Sequence, residues 1–462
     1  MGGILSSNNQ KSPITEPNKA SQSEARKRRR ISSSLWEDNP RLIPSLPDEI
    51  SFQILARLPR IFYINAKSVS RGWKSAIMSP ELYKTRKELG MTEEWLYILT
   101  KVTGDMLVWY ALDPVSLKWQ RLPPVPDFPP KDGTKTGSSG LWLSSMLSPS
   151  MRIIDVVRRW LRKKSSPGQI PFCGCAIGTV NGCLYTLGGF HRDSSMKSVW
   201  RYDPITNIWD EISPMSIGRA YCKTGVLNGK LYVVGGVTRD RGGLTPLRSA
   251  EVYDPQTGVW TEVPNMPFAK AHLLPNAFLA DFLKPIATGI CSYRGKLYVP
   301  QSLYCWPFFV DAGGEVYDPE TNSWGDMPSG MGEGWPARQA GTKLSVIVDG
   351  ELYALDPCGE SNSVNLKVYD SQDDVWKEIQ GDIPIRDLAD SDSPYLLAGF
   401  LGKVNVITKD GNQNLVILQA DRQNQSIPCS DTFGGSDASI WRVIASKSNG
   451  PAELVSCQIL DL

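Results

Sequence analysis

The sequence predicts a multidomain chain, a small all-α module of three helices followed by an all-β, six-bladed β-propeller. Three observations lead there. Helical apolar periodicity is confined to residues 44–89, and an Asp followed by a Trp six positions on recurs five times after residue 95. Tight-turn dipeptides stand before alternating apolar strands at matching points of that repeat. The composition agrees, since 15 Trp, 40 Gly and 34 Pro among 462 residues suit short aromatic-anchored strands joined by turns. Length alone suggests about three domains, but a repeat of this period marks one ring rather than several cores.

The propeller elements follow from the repeat. The pairs are Asp113/Trp119, Asp203/Trp209, Asp254/Trp260, Asp318/Trp324 and Asp370/Trp376, and the last four Asp residues follow a Tyr. Before the later pairs stand Asn181-Gly182, Asn228-Gly229, Arg294-Gly295 and Asp349-Gly350, each leading into an apolar strand. Asn-Gly and Asp-Gly suit turns in which both central residues take positive φ. Each unit therefore reads as four strands, and Trp-to-Trp intervals of 51, 64 and 52 residues fit one blade each. A sixth, degraded unit lies around Trp441. The first unit is one strand short, while residues 453–460 have no blade of their own, so the last strand is expected to complete blade one and close the ring. A ring of this kind would span 95–462, with an insertion at 123–172.

Gly188-Gly189 and Gly235-Gly236, each followed by the Tyr and Trp of its repeat, resemble the kelch motif. Blades four and five depart from it, having Val299-Pro300 and Leu355-Asp356 where a glycine pair is expected. The Tyr and Trp positions are read as blade packing rather than ligand contacts.

Residues 43–90 hold the helical module. Ser45 with Asp48 resembles a capping box with Pro47 in the first turn, and Ile50, Ile54, Leu55 and Leu58 recur at helical spacing until Pro59. A second helix is expected to carry Phe62, Ala66, Val69, Trp73 and Ile77, and a third to start at Ser79-Pro80-Glu81. The stretch Leu46-Pro47-Asp48-Glu49-Ile50, with Val69-Ser70-Arg71-Gly72-Trp73, resembles the F-box. That resemblance implies docking on a Skp-type adaptor, and through it a cullin, by Leu46, Pro47, Ile50, Ile54, Leu55, Leu58, Val69 and Trp73. An F-box followed by kelch repeats implies the substrate-recognition subunit of a Skp–cullin–F-box ubiquitin ligase, whose propeller binds a target protein. The alternative is a kelch interaction scaffold outside any ligase, for which association with a membrane is one option. Target contacts are expected in the connections 190–198, 237–249, 300–314 and 356–365, where Arg192, Arg239, Arg241, Arg248, Tyr304, Trp306, Phe308 and Phe309 stand.

Several classes are disfavoured by composition. Two histidines, His191 and His272, leave little for a catalytic triad, a metallohydrolase or a copper centre. The nine cysteines include no C-x-x-C pair, so no metal, cofactor or catalytic residue is expected, and scattered thiols fit a reducing compartment. A balance of 50 basic against 48 acidic residues argues against nucleic acid as partner. Neither a signal peptide nor a membrane-spanning run is read.

Two features stand outside this scheme. Residues 1–40 read as a disordered tail ending in Arg26-Lys27-Arg28-Arg29-Arg30. Met1-Gly2 with Ser6 fits N-myristoylation at Gly2, for which the basic run is a second, weak membrane signal; the same run fits nuclear import. The expected location is the nucleus and/or cytoplasm, with the cytoplasmic face of a membrane as alternative. Within the insertion, residues 147–164 form a basic amphipathic pattern suited to a propeller rim, an anionic membrane or a partner groove.

Overall fold

The computed structural model describes residues 41–102, 106–126, 174–191, 194–240, 243–268, 284–305, 308–335, 345–356, 365–379, 383, 395–420, 440–448 and 452–462. The N-terminal tail with Gly2 and the basic run, and the insertion from residue 127 on, lie outside the described residues. The chain divides into two units, Met1–Leu58 with Phe62–Thr85, and Pro59–Ile61 with Arg86–Leu462.

The first unit is helical. Helix α1 spans Asp48–Arg57, α2 is Tyr63–Ala66, α3 Arg71–Ile77 and α4 Pro80–Glu88, the end of α4 from Arg86 on and Arg60–Ile61 of a 3-10 turn at Arg60–Phe62 being counted with the second unit. Two sequence expectations are corrected here. Pro47 occupies the N-cap of α1 and no side chain caps it. Asp48 instead accepts the Leu42 backbone N–H at 3.0 Å, which folds the preceding chain back on the helix. The single long second helix is in fact broken between Ala66 and Arg71, because Ser70 takes an extended conformation and its hydroxyl accepts the Trp73 N–H at 3.0 Å. A Ser able to satisfy an orphan amide starts a new helix rather than continuing an old one. Ser79 does the same for α4, accepting from Leu82 N at 3.3 Å with Pro80 in the first helical position. The interior is formed by Leu55, Ala56, Ala66, Ala76, Ile77 and Leu82.

The second unit is a six-bladed propeller of antiparallel sheets. Blade two shows the pattern: Ala176–Val180, Cys183–Leu187, Val199–Asp203 and Ile208–Ile212, paired in that order. The first strands of successive blades touch one another around the ring, so they line the axis. In blade one that innermost place is taken by the last strand of the chain, Glu453–Asp461, antiparallel to Glu94–Val102 with an irregularity between Leu99 and Thr100. Glu93 and Leu462 extend the seam by exchanging backbone hydrogen bonds of 2.7 and 3.0 Å. N-terminal and C-terminal chain thus share one sheet, and the ring has no terminal edge.

Apolar cores lie in the seams between blades. Leu96, Ile98 and Leu112 of blade one meet Leu396, Phe400 and Ile407 of blade six, while Trp95, Tyr97 and Trp109 on the other face meet Leu184, Trp200 and Tyr202 of blade two. Both faces of a blade are therefore buried, and inner strands such as Leu415–Ala420 are buried at every position. The repeated Trp has a second task. Its indole N–H crosses to a carbonyl of the neighbouring blade: Trp119 to Ser446, Trp209 to Pro123, Trp260 to Ser213 and Trp324 to Pro264, at 2.6–3.1 Å. Trp376 reaches Met331 in α5, Ser329–Glu333, at 3.0 Å. The Tyr of each repeat packs on its Trp at 5.1–5.4 Å between ring centroids. The Asp accepts the amide two residues on, as Asp203 does from Ile205 and Asp254 from Gln256, and so shapes the turn that sets the Asp-to-Trp spacing.

A short upstream segment belongs to this unit. Arg60 donates its backbone N–H to Glu93, its guanidinium to Pro204 O, and lies 5.4 Å from the Trp95 ring centroid. Glu93 also accepts from Arg86 at 3.1 Å and from the Trp95 indole at 3.0 Å.

Candidate functional site

The helical unit keeps an apolar face that its own interior does not use. Ile50 and Ile54, four residues apart on α1, share one stripe and are 45% and 39% exposed. Pro47 is exposed beside them, and Val69 is 62% exposed in the break before α3. Leu46 and Leu58 are half-buried. Leu55 is corrected: it is fully buried, so it packs the helices and offers no surface. Trp73 is half-buried, and its indole donates to Leu42 O at 2.7 Å, which ties it to the unit's own N-terminal chain. Phe62 and Ile64 were not among the sequence candidates for this face, yet they are 54% and 58% exposed. The sequence places Phe62 on a continuous second helix and not among the adaptor contacts, and the signal against that single helix is Ser70, whose capping role breaks the periodicity.

The propeller offers a second surface. The connections after each second strand are hairpins, not loops, in blades two to four: Phe190–His191 with Ser194–Ser195, Val237–Asp240 with Gly243–Pro246, and the outer parts of Lys296–Cys305 and Phe308–Asp318. The glycine pairs explain the division. Gly188 (φ 58°) and Gly189 (φ 99°) end the strand so closely that a Cβ on Gly188 would stand 2.1 Å from the Arg219 carbonyl oxygen. Blade four has Val299-Pro300 there, and its strand runs on to Cys305.

Arg239 is half-buried in its hairpin. Arg248 is exposed, donates to Pro267 O at 2.9 Å and lies 5.4 Å from the Phe268 ring centroid. Tyr304 pairs with Phe309 in the backbone register, and Phe308 with Cys305; the side chains of Tyr304, Phe308 and Phe309 are outside the description. Arg192, Arg241 and Trp306 lie outside the described residues. Of the connection 356–365, Asp356 and Asn365 pair as the ends of their strands.

Beneath this face Arg219 is fully buried. It donates to Gly235 O, Ser249 O, the Ser249 hydroxyl and Glu251, whose carboxylate also accepts the Ser216 N–H at 2.7 Å. Burial alone would raise the Glu251 pKa, but the Ser216 hydrogen bonds and the Arg219 guanidinium hold it below the ordinary glutamate value. Burial pushes the Cys183 and Cys222 thiols up to about 11, so neither is a thiolate nucleophile at neutral pH. Among the described residues no group of three His, Cys, Asp or Glu side chains is placed to hold a metal ion, and no helix is long and apolar enough to cross a membrane.

Comparison with known proteins matches both regions. Residues 43–85 match the F-box domain family, and residues 171–216 and 218–267 match the Kelch motif family. Over 477 aligned positions, covering 100% of both chains, the sequence is 57% identical to F-box/kelch-repeat protein At1g22040 of Arabidopsis thaliana. It is 29% identical to F-box protein AFR of the same plant over 320 residues, 69% of each chain. With F-box/kelch-repeat protein At1g67480 of that plant it shares 26% identity over 352 residues, 76% of this chain and 75% of the other.

Proposed function

The chain belongs to the F-box/kelch-repeat family, and from that premise we propose that it is the substrate-recognition subunit of a Skp–cullin–F-box ubiquitin ligase. The observation that carries the reading is the solvent-facing apolar set Pro47, Ile50, Ile54 and Val69 on a small unit whose interior is already filled by other residues. Apolar side chains clustered at a surface mark an interface, and each one fully buried by a partner contributes on the order of 1.5–3 kcal/mol. Phe62 and Ile64 join this adaptor face on the same ground.

In such a complex the chain does no covalent chemistry. It holds a target lysine near a ubiquitin-loaded conjugating enzyme, and the rate follows from raised effective concentration. The hairpin face of the propeller is the target-binding surface in this scheme, because strand residues within the seams are committed to packing. The reading carries with it action in the nucleus and/or cytoplasm.

Co-expression with a Skp-type adaptor tests the proposal. Wild type is expected to co-purify with the adaptor, and Ile50→Asp/Val69→Asp to lose it while unfolding at the same temperature. These residues are preferred to Leu55 and Trp73, whose replacement disturbs the unit itself. Failure of the folded wild type to capture any adaptor overturns the assignment in favour of a scaffold outside the ligase.

A further inference from the structure

The chain passes between the two units at three points, before Pro59, after Ile61 and before Arg86. On the propeller side, the segments next to these points meet at one carboxylate. Glu93 accepts the Arg60 backbone N–H on both oxygens at 3.1 and 3.4 Å, the Arg86 guanidinium at 3.1 Å and the Trp95 indole N–H at 3.0 Å. Its own backbone is tied to the last strand, because Glu93 and Leu462 exchange hydrogen bonds. The side chains of Arg86 and Glu93 are 4% and 14% exposed, so water competes little for the pair. Charge-assisted hydrogen bonds shielded in this way hold their partners firmly.

The chain on either side of the carboxylate has little slack. Gly90, at φ 63°, donates its N–H to Lys87 O at 3.2 Å, and the next amide, Met91, returns to Arg86 O at 2.9 Å. This is the two-bond turn that closes a helix on a left-handed glycine. Only Thr92 then separates Met91 from Glu93. Arg60 is held a second time, since its guanidinium lies 5.4 Å from the Trp95 ring centroid and donates to Pro204 O of blade two. Blades three and four show what this contact replaces. There a lysine follows the first tight turn and pairs with the Asp of the other turn, Lys230 with Asp254 at 3.1 Å and Lys296 with Asp318 at 2.9 Å. Blade two has Cys183 at that place, and a cation from outside the repeat, Arg60, reaches the turn next to Asp203.

Resting on the receptor reading above, we infer that Glu93 is a positioning residue for ubiquitin transfer. Its carboxylate fastens to blade one both segments through which the chain enters the propeller, which makes them a stiff mount and not a tether. A tether spreads effective concentration over every lysine within its reach. A stiff mount concentrates a few lysines at the conjugating enzyme and withholds the rest. Glu93 acts through Arg60 and Arg86 and has no part in the chemistry.

Two measurements on the full chain test this. Glu93→Gln keeps the shape of the side chain but sets an amide N–H2 group among the donors. Hydrogen exchange at Arg60 is expected to quicken by about tenfold or more, while Leu462, bonded to the Glu93 backbone, exchanges as in wild type. In the second measurement the chain is assembled with a Skp-type adaptor, a cullin and a ubiquitin-loaded conjugating enzyme, and the lysines of the chain that receive ubiquitin are mapped by mass spectrometry. Wild type is expected to be modified at few lysines, and Glu93→Gln at a wider set with equal adaptor capture. A merely structural role would lower the melting temperature without widening the set. Arg60→Ala, which keeps the carboxylate and removes the bond to Pro204, is expected to act in the same direction and serves if Glu93→Gln does not fold. Unchanged exchange at Arg60 in a folded Glu93→Gln overturns the inference. Adaptor capture and transfer with the same lysine set in wild type and variants sinks this inference alone. Failure of the folded wild type to capture an adaptor sinks the ligase reading, and this role in transfer with it.

Discussion

Blades three and four are built from the same repeat and differ at one point. Both carry a Tyr–Trp pair, both send the Trp indole to a carbonyl of the preceding blade, and both place a buried Glu two residues before the Tyr, Glu251 and Glu315. Blade three ends its second strand at Gly235-Gly236 and receives the buried Arg219 from the connection before it. Blade four lacks the glycines, runs its strand on through Pro300, and answers its Glu with Gln301 of the same strand at 2.8 Å. The seams are thus held alike while the hairpin face varies. A glycine pair decides whether the crown of a blade is a separate short hairpin locked from outside or a continuation of the blade itself.

Arg219 is where this difference is easiest to break. Arg219→Ala strips a buried carboxylate of its counter-charge and leaves the Gly235 and Ser249 carbonyls without their donor, at a cost of about 3–5 kcal/mol. Gln301→Ala removes one neutral donor from Glu315, which keeps another partner, and should cost about 1–3 kcal/mol. Chemical denaturation followed by Trp fluorescence measures both, and equal losses would remove the distinction between the two locks. Acid gives the same contrast without mutation. Glu251 has a folded pKa below its ordinary 4.5, so its stabilisation is full above that value and is lost as pH falls through the depressed one. Wild type should therefore lose stability across this acidic window more steeply than Arg219→Ala.

Gly236 is the next lever. Its φ is 86°, and a Cβ there would stand 2.6 Å from the Ala220 carbonyl oxygen and 2.9 Å from Cys222 N. Both contacts are backbone, so no side chain can swing away. Gly236→Ala should cost about 1–3 kcal/mol. Gly350→Ala, at φ 79° in the turn of blade five but with open space around it, separates backbone strain from the clash. Equal losses at the two positions would mean that the close approach under the crown adds nothing.

These features were unequally legible in the sequence. The ring was readable because each blade repeats residues that must stay fixed, Asp for the turn and Tyr and Trp for the seam. Arg219 carries no sequence signal because its partners, Gly235, Ser249 and Glu251, are spread over the next blade and share no local spacing with it. On the helical unit Ile50 and Ile54 were readable as one stripe, but periodicity does not say which apolar face is inside, and Leu55 fell on the other side. The crown was read as loops because its hairpins follow strands already counted. Their pairing depends on whether glycines end the strand, and in blade four, with Val299-Pro300 at that point, the strand runs on to Cys305.

The turn after the Asp of each repeat holds the smallest effect and one more comparison between blades. The fourth residue after the Asp has positive φ in every regular blade, and it is Leu117, Asn207, Gly258, Asn322 and Asp374 in turn. Four of these suit the left-handed region, whereas Leu117 pays for its Cβ at φ 53°. Leu117 is 37% exposed, so it recovers little through burial. Leu117→Asn should stabilise blade one by about 0.5–1 kcal/mol, read as a small rise in melting temperature. The reverse change, Asn207→Leu in blade two, should cost about 1–2 kcal/mol, because it adds the same strain and also removes the 2.7 Å hydrogen bond from the Tyr202 hydroxyl. If Asn207→Leu is costly while Leu117→Asn gains nothing, the hydrogen bond to the Tyr rather than the backbone conformation selects the residue. Gly258, which has no side chain to offer Tyr253, argues that conformation comes first.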